Sequence, residues 1–360
     1  MKICLTIKIK SSVQIKIDLY LFNFVCLWLN IILFPTCYMQ SQSKDLPFEH
    51  FSVDEGMPTV VTCILQDRTG YLWFTTWSGL YKYEGYSFVS YKHDIDDPTS
   101  LIDNTLNTIY EDKEGALWIG SWLGLEKFDR TMNTFIHYTP NPPGTGKDAS
   151  NYVDAICEDK YGVLWVGTDD GLYKFDKVTE KFTTLRNDST DAGSISHNSI
   201  GDIYEDKEGT LWFGTRAGLD KFDFKTESFI HCWKKPNKDI LLNSDYIYNS
   251  IFRDSLWNTK YWVNTIYRDE AGTIWMGTHG GLVEFIPETS ASFNYLYNPK
   301  TPETPQTLQN NIASISQDKI TGFIWIAIGT GILTFDKKTK KFNQVDIEGN
   351  CVYSERSGTV

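Results

Sequence analysis

The 360-residue sequence is poor in the groups that build catalytic and metal sites. Its six histidines are scattered, and its seven cysteines form no Cys-x-x-Cys. That spacing excludes a local zinc cluster or dithiol redox centre, so no metal is expected. There is no Gly-x-Ser-x-Gly elbow, no Walker loop and no other glycine loop that would cradle a phosphate, so no cofactor is expected. The Asp-x-x-Gly turns lack the alternating carboxylates of a calcium loop. Positive charge is also lacking: the net charge is −12, which argues against nucleic acid and anionic membrane as partners.

No apolar run reaches the ~20 residues that a membrane-spanning helix needs. The longest, Leu19 to Leu33, follows Lys2, Lys8, Lys10 and Lys16. That is a basic segment followed by a short apolar one, the pattern of a secretory signal. Residues 1–42 are therefore read as a signal peptide cleaved before Ser43, or as an uncleaved N-terminal anchor. Leu33 to Cys37 gives a weaker lipoprotein signal. Cys4, Cys26 and Cys37 belong to this segment. Cys63, Cys157, Cys232 and Cys351 are scattered over different repeats and read as isolated thiols.

What the sequence has is a repeat. Ile203 to Asp223 contains a strand, a turn closing on Gly209, a strand through Trp212, a turn at Gly218 and a strand ending in Phe222 and Asp223. A fourth strand follows from Ser228 to His231. The tryptophan recurs as Trp73, Trp118, Trp165, Trp212, Trp275 and Trp325, at intervals of 45 to 63 residues. Four short strands per repeat of this length mark a propeller blade. Third-strand aromatics are Tyr83, Phe128, Phe175, Phe222, Phe285 and Phe335. Fourth-strand aromatics are Phe88, Phe135, Phe182, Phe229, Phe293 and Phe342. All are expected to fill the core between blades.

The fold class is thus all-β: a β-propeller of four-stranded blades over 46–360, with six complete repeats and a truncated seventh at 349–360. Val352 to Val360 aligns with Ile203 to Leu211, so the chain is expected to be cut inside blade seven. Phe48 and Phe51 resemble a fourth strand without a blade of its own, placed to complete that last blade.

In such blades the second-to-third turns and the fourth-to-first loops share one rim. The first-to-second turns, such as Asp112 to Gly115 and Asp206 to Gly209, are nearly uniform and read as scaffold. The opposite rim varies. Its turns carry Trp77, Trp122, Asp169 and Asp170, Arg216, and His279; its loops are 92–104, 139–151, 186–198 and 298–310. An insertion of about 16 residues within 233–262 adds Arg253 and Trp257. Divergent loops on a uniform scaffold are where binding is grafted. These eight residues are the candidate ligand-binding set, and no catalytic residue is assigned. Aromatics with arginine suit stacking on sugar rings or a protein contact. Asp169 and Asp170 are the carboxylates that stand outside the repeat's own pattern.

The repeat, Ile-x-x-Asp-x-x-Gly-x-Leu-Trp-x-Gly-Thr-x-x-Gly-Leu-x-x-Phe-Asp, resembles the two-component regulator propeller repeat. Residues 156–176 and 203–223 carry it closely; Trp73 to Thr76 and Trp325 to Ile328 lose its Gly-Thr. The resemblance implies the periplasmic sensor region of a bacterial hybrid two-component histidine kinase, sensing oligosaccharides or glycan breakdown products. It further implies remaining sensor domains and a homodimer in the parent, with no catalysis in this chain. The alternatives are a secreted propeller lyase or glycosidase, and a protein-interaction scaffold.

Overall fold

A computed structural model describes residues 60–140, 151–234, 261–297, 310–329 and 331–345, all within one compact unit. The signal segment 1–42, the strand expected at 46–53, Arg253, Trp257, Cys351 and the seventh repeat at 349–360 lie outside the described residues.

The described chain forms six four-stranded antiparallel sheets. Blade one comprises β1 (Val61–Gln66), β2 (Leu72–Thr76), β3 (Gly79–Tyr83) and β4 (Phe88–Tyr91). Blade two comprises β5 (Leu106–Glu111), β6 (Leu117–Ser121), β7 (Leu125–Asp129) and β8 (Thr134–Tyr138). Blade three comprises β9 (Val153–Glu158), β10 (Leu164–Thr168), β11 (Leu172–Asp176) and β12 (Lys181–Leu185). Blade four comprises β13 (Ile200–Glu205), β14 (Leu211–Thr215), β15 (Gly218–Asp223) and β16 (Ser228–Lys234). Blade five comprises β17 (Val263–Arg268), β18 (Ile274–Thr278), β19 (Gly281–Ile286) and β20 (Ala291–Tyr295). Blade six comprises β21 (Ile312–Gln317), β22 (Ile324–Ile328), β23 (Gly331–Asp336) and β24 (Lys341–Gln344).

Strand order in every sheet follows the chain, and the first strands of successive blades pack beside one another. The six blades form a propeller with these strands innermost. The core lies between blades. Trp73 joins Leu106, Ile119 and Phe128 of blade two. Trp165 joins Ile200, Phe213 and Phe222 of blade four. Trp275 joins Ile312, Ile326 and Phe335 of blade six. Each of these three tryptophans is therefore the face that its blade offers to the next.

A belt of hydrogen bonds ties the inner strands together. Thr62 Oγ1 donates to Leu106 O at 2.7 Å, Asn107 Nδ2 to Val153 O at 3.2 Å, and Asn264 Nδ2 to Ile312 O at 2.8 Å. Each is the second residue of a first strand. In blade four that position is Gly201, where a Cβ would stand 2.3 Å from Val263 O. Only a residue without a side chain lets blades four and five approach so closely.

The uniform rim is a clamp. In blades one to five an aspartate accepts the indole N–H of its blade's tryptophan, from Asp67 and Trp73 at 2.8 Å to Asp269 and Trp275 at 3.0 Å. The same carboxylates cap the turn: Asp206 Oδ1 accepts from the backbone N–H groups of Glu208 and Thr210. A cation of a neighbouring blade completes four of them: Arg130 on Asp67, Lys177 on Asp112, Arg268 on Asp206 and Lys337 on Asp269. In blade six the turn holds one more residue, and Asp318 accepts from Ile320 N–H and the Thr321 hydroxyl instead.

Phe293 departs from expectation. In the other blades the fourth-strand aromatic faces the third-strand one, as Phe128 faces Phe135 and Phe222 faces Phe229. In blade five Ser292 takes that place opposite Phe285. A slip of one residue turns the side chain to the other face, and Phe293 is 51% exposed. Tyr295 fills the seam, 4.9 Å from the Phe335 ring.

Candidate functional site

The second-to-third turns are built alike. Thr76, Thr168 and Thr278 each donate a side-chain hydroxyl to the carbonyl of the glycine that opens or immediately precedes the third strand. The two residues between are thereby pushed outward. The turns are also fastened to the residue before a first strand: Trp122 N–H to Thr105 O, Arg216 N–H to Ser199 O, and His279 N–H to Trp262 O, each at 3.2 Å. Turn tips and strand starts therefore occupy one edge of the propeller.

Trp77 and Trp122 present large indole faces there, 37% and 51% exposed, with Leu123 half-exposed beside Trp122. Trp122 also packs on Tyr152 of blade three, with ring centroids 5.6 Å apart. Blades four and five repeat that relation with different chemistry. The Arg216 guanidinium lies 3.8 Å from the centre of the Trp262 ring. His279 stacks on the same ring at 4.5 Å and 25°. Two of the sequence candidates thus meet on a third residue, Trp262, which the candidate set lacked. Its signal was its place immediately before a first strand, the position Tyr152 holds in blade three.

Asp169 is exposed. Asp170 is held by Arg186, whose two terminal nitrogens donate at 2.7 and 2.9 Å to its two oxygens. The pairing with Asp170 raises the pKa of Arg186. His197, before β13, is held below its ordinary pKa by burial and by the Arg216 charge. Among the described residues no group of histidine, cysteine and carboxylate side chains could hold a metal ion, and no helix is long and apolar enough to cross a membrane. Cys157 and Cys232 are free thiols, and burial raises the Cys157 pKa to about 12.

Two of the loops read as divergent are in fact near copies. In 92–104, Ser100 Oγ accepts from Asp94 N–H and donates to Asp97 O. In 186–198, Ser194 Oγ accepts from Asp188 N–H and donates to Asp191 O. Leu101 and Ile195 are fully buried beneath them. A buried carboxylate holds each loop: Glu126 accepts Ile102 N–H at 2.9 Å, and Asp220 accepts Ser196 N–H at 2.7 Å. These two loops are therefore scaffold.

Burial pushes the Glu126 carboxyl up to about 8, and its Oε1 has no partner among the described residues. A raised carboxyl pKa favours the folded state at low pH. That stability falls as pH climbs from the unfolded value, near 4.5, through about 8. Thermal melts at pH 5 and pH 9 should therefore show Glu126→Gln removing a pH-dependent loss of about 1–3 kcal/mol. Identical pH slopes in both proteins would contradict a protonated Glu126.

This is a β-propeller whose uniform edge is structural and whose variable edge gathers aromatic and cationic side chains. The model of the two component regulator propeller matches residues 56–78, 100–123, 148–170, 194–217 and 258–280. The chain belongs to the two-component regulator propeller family. No curated protein matches the sequence. Among solved structures it is similar to the extracellular domain assigned to hybrid two-component system BT3049 of B. thetaiotaomicron, with 24% identity and a TM-score of 0.63 over 85% of this chain and 37% of that one. The BT4673 extracellular domain of the same organism gives 25% identity and a TM-score of 0.59, covering 80% of this chain and 36% of that one. Virginiamycin B lyase of Staphylococcus aureus shares the fold at 11% identity and a TM-score of 0.55, over 81% of this chain and 86% of that one. The chain spans little more than a third of the length of the two sensor domains.

Proposed function

We propose that this propeller is the ligand-binding portion of a hybrid two-component sensor on the periplasmic side of the bacterial inner membrane. Its ligand is an oligosaccharide, bound at the rim of second-to-third turns. One observation carries this reading. Trp77, Trp122 and the Arg216–Trp262–His279 stack are raised on a single edge, whereas the charges of the other edge are engaged in holding blades together. Exposed indole faces beside a few polar groups are the chemistry that binds pyranose rings. Binding would shift the population of a dimer of the whole sensor, with no reaction in this domain. A hydrolase or lyase reading gains nothing from Asp170, which is locked to Arg186.

The test is alanine at Trp77, Trp122, Arg216 and His279, one at a time, in the full chain. Calorimetric titration with oligosaccharides is expected to show at least one change weakening binding tenfold or more, about 1.4 kcal/mol. Unchanged affinity in all four would remove the rim from the account.

A further inference from the structure

The tips of blades one and two are joined through the loop between them. The backbone N–H of Gly79, which closes the tip formed by Trp77 and Ser78, donates to Asn104 O at 2.8 Å. The backbone N–H of Trp122 donates to Thr105 O at 3.2 Å. Two consecutive carbonyls therefore seat both tips. Consecutive Cα atoms lie about 3.8 Å apart, so the two seats are side by side.

The seat is itself held in place. His93 N–H donates to Asn104 Oδ1 at 2.8 Å, and Thr105 N–H to Asp103 Oδ1 at 3.2 Å. Just before it, Ile102 N–H is held by the buried Glu126, and Leu101 is fully buried. Each tip is also tied within its own turn. Ser78 N–H donates to Thr76 Oγ1 at 3.0 Å, and Leu123 N–H to Ser121 Oγ at 3.3 Å. What these fastened tips carry is apolar. Trp77, Trp122 and Leu123 are exposed, and neither tip holds a charged side chain. The Tyr152 ring braces the Trp122 ring from blade three. Aromatic faces set in place beforehand bind with little further loss of conformational freedom.

Resting on the saccharide reading above, we infer that Trp77 and Trp122 are two ring-stacking subsites of one platform, and that the ligand is a saccharide chain long enough to lay one ring on each. Recognition in this sector is by sugar ring faces and not by charge. Once one ring is stacked, contact of a second ring of the same molecule becomes intramolecular, so chain length multiplies affinity.

The experiment is calorimetric titration of the full chain with glucose, mannose and xylose and with their neutral β-1,4-linked oligomers, from the disaccharide to the hexasaccharide. In at least one series affinity is expected to rise tenfold or more from the monosaccharide to the longest member. Trp77→Ala and Trp122→Ala should each erase that rise, with melting temperatures unchanged because both indoles are exposed. Trp77→Phe and Trp122→Phe, which keep a smaller ring, should recover part of it. No rise with length, or a rise that survives either alanine change, overturns the two-indole platform and leaves the saccharide reading standing. No binding by any member of the three series overturns both.

Discussion

Replacing Asp206 with alanine should lower the stability of the propeller by about 3–5 kcal/mol, the cost of breaking a buried charge pair from one side. The carboxylate is almost wholly buried and serves three purposes at once. Its Oδ2 accepts the Trp212 indole N–H at 2.9 Å and pairs with Arg268 at 2.6 Å, and its Oδ1 caps the turn through Thr210 N–H at 2.8 Å. Alanine strands an indole donor and two backbone donors in one step and leaves Arg268 with only Glu208 and the Gly272 carbonyl. Asparagine should be nearly as damaging, because its amide donor would confront the indole N–H and the guanidinium. Asp159 provides the internal control. Its carboxylate bonds Trp165 at 2.8 Å but forms no ion pair among the described residues, and Lys113 bonds only its backbone carbonyl. Asp159→Ala should therefore cost less, and melting of the two variants side by side checks the order. For a domain of this size the Asp206 change corresponds to a fall in Tm of about 10 °C.

The same clamps set the acid limit. Burial alone would raise the Asp67 carboxyl, but hydrogen bonds from Thr69, Arg130 and Trp73 outweigh it and hold the pKa at about 2. Asp112, Asp206 and Asp269 are likewise lowered against the pull of burial. Depressed carboxyl groups contribute stability that is complete above their unfolded pKa, near 3.9, and is lost as pH falls toward about 2.

Gly218→Ala is the second change expected to have a large effect. The residue sits at a φ of 140°, a region that side chains avoid, and a Cβ there would lie 2.0 Å from Trp233 O. Neither neighbour can yield by a rotamer change, because the obstructing atom belongs to the backbone of β16. Strained φ and overpacking each cost about 1–3 kcal/mol, so a loss of about 3–5 kcal/mol is expected in denaturant melts. Gly171 holds the same place in blade three with a φ of 154°, yet its Cβ would meet only ordinary contacts at 3.6 Å. Gly171→Ala should cost clearly less. Because Gly218 closes the turn that carries Arg216, its alanine variant should also disturb the stack on Trp262.

Much of this architecture was legible because it repeats. The strand expected at Leu219 to Asp223 is observed as Gly218–Asp223, and the tryptophan positions mark the seams between blades. Phe293 escaped because a one-residue slip in register leaves composition unchanged while reversing the face. The kinship of 92–104 with 186–198 was legible but overlooked: Asp94, Asp97, Ser100 and Asn104 recur as Asp188, Asp191, Ser194 and Asn198. The residues between them differ, as His93 and Asn187 do, which still each bond the carbonyl eight residues on, at Leu101 and Ile195. The rim candidates emerged from variability within one chain. That contrast could select Arg216 and His279 but could not show that they converge on Trp262, a contact between blades separated by the longest interval in the repeat.

The most direct measurement is hydrogen exchange across the full chain with and without a bound oligosaccharide. Protection is expected at the turn tips around Trp122, Arg216 and His279, with the aspartate turns at Asp112, Asp159 and Asp206 unchanged. Protection confined to the aspartate turns, with the tips unaffected, would place the ligand on the wrong edge and contradict the assignment of the variable rim as the binding face.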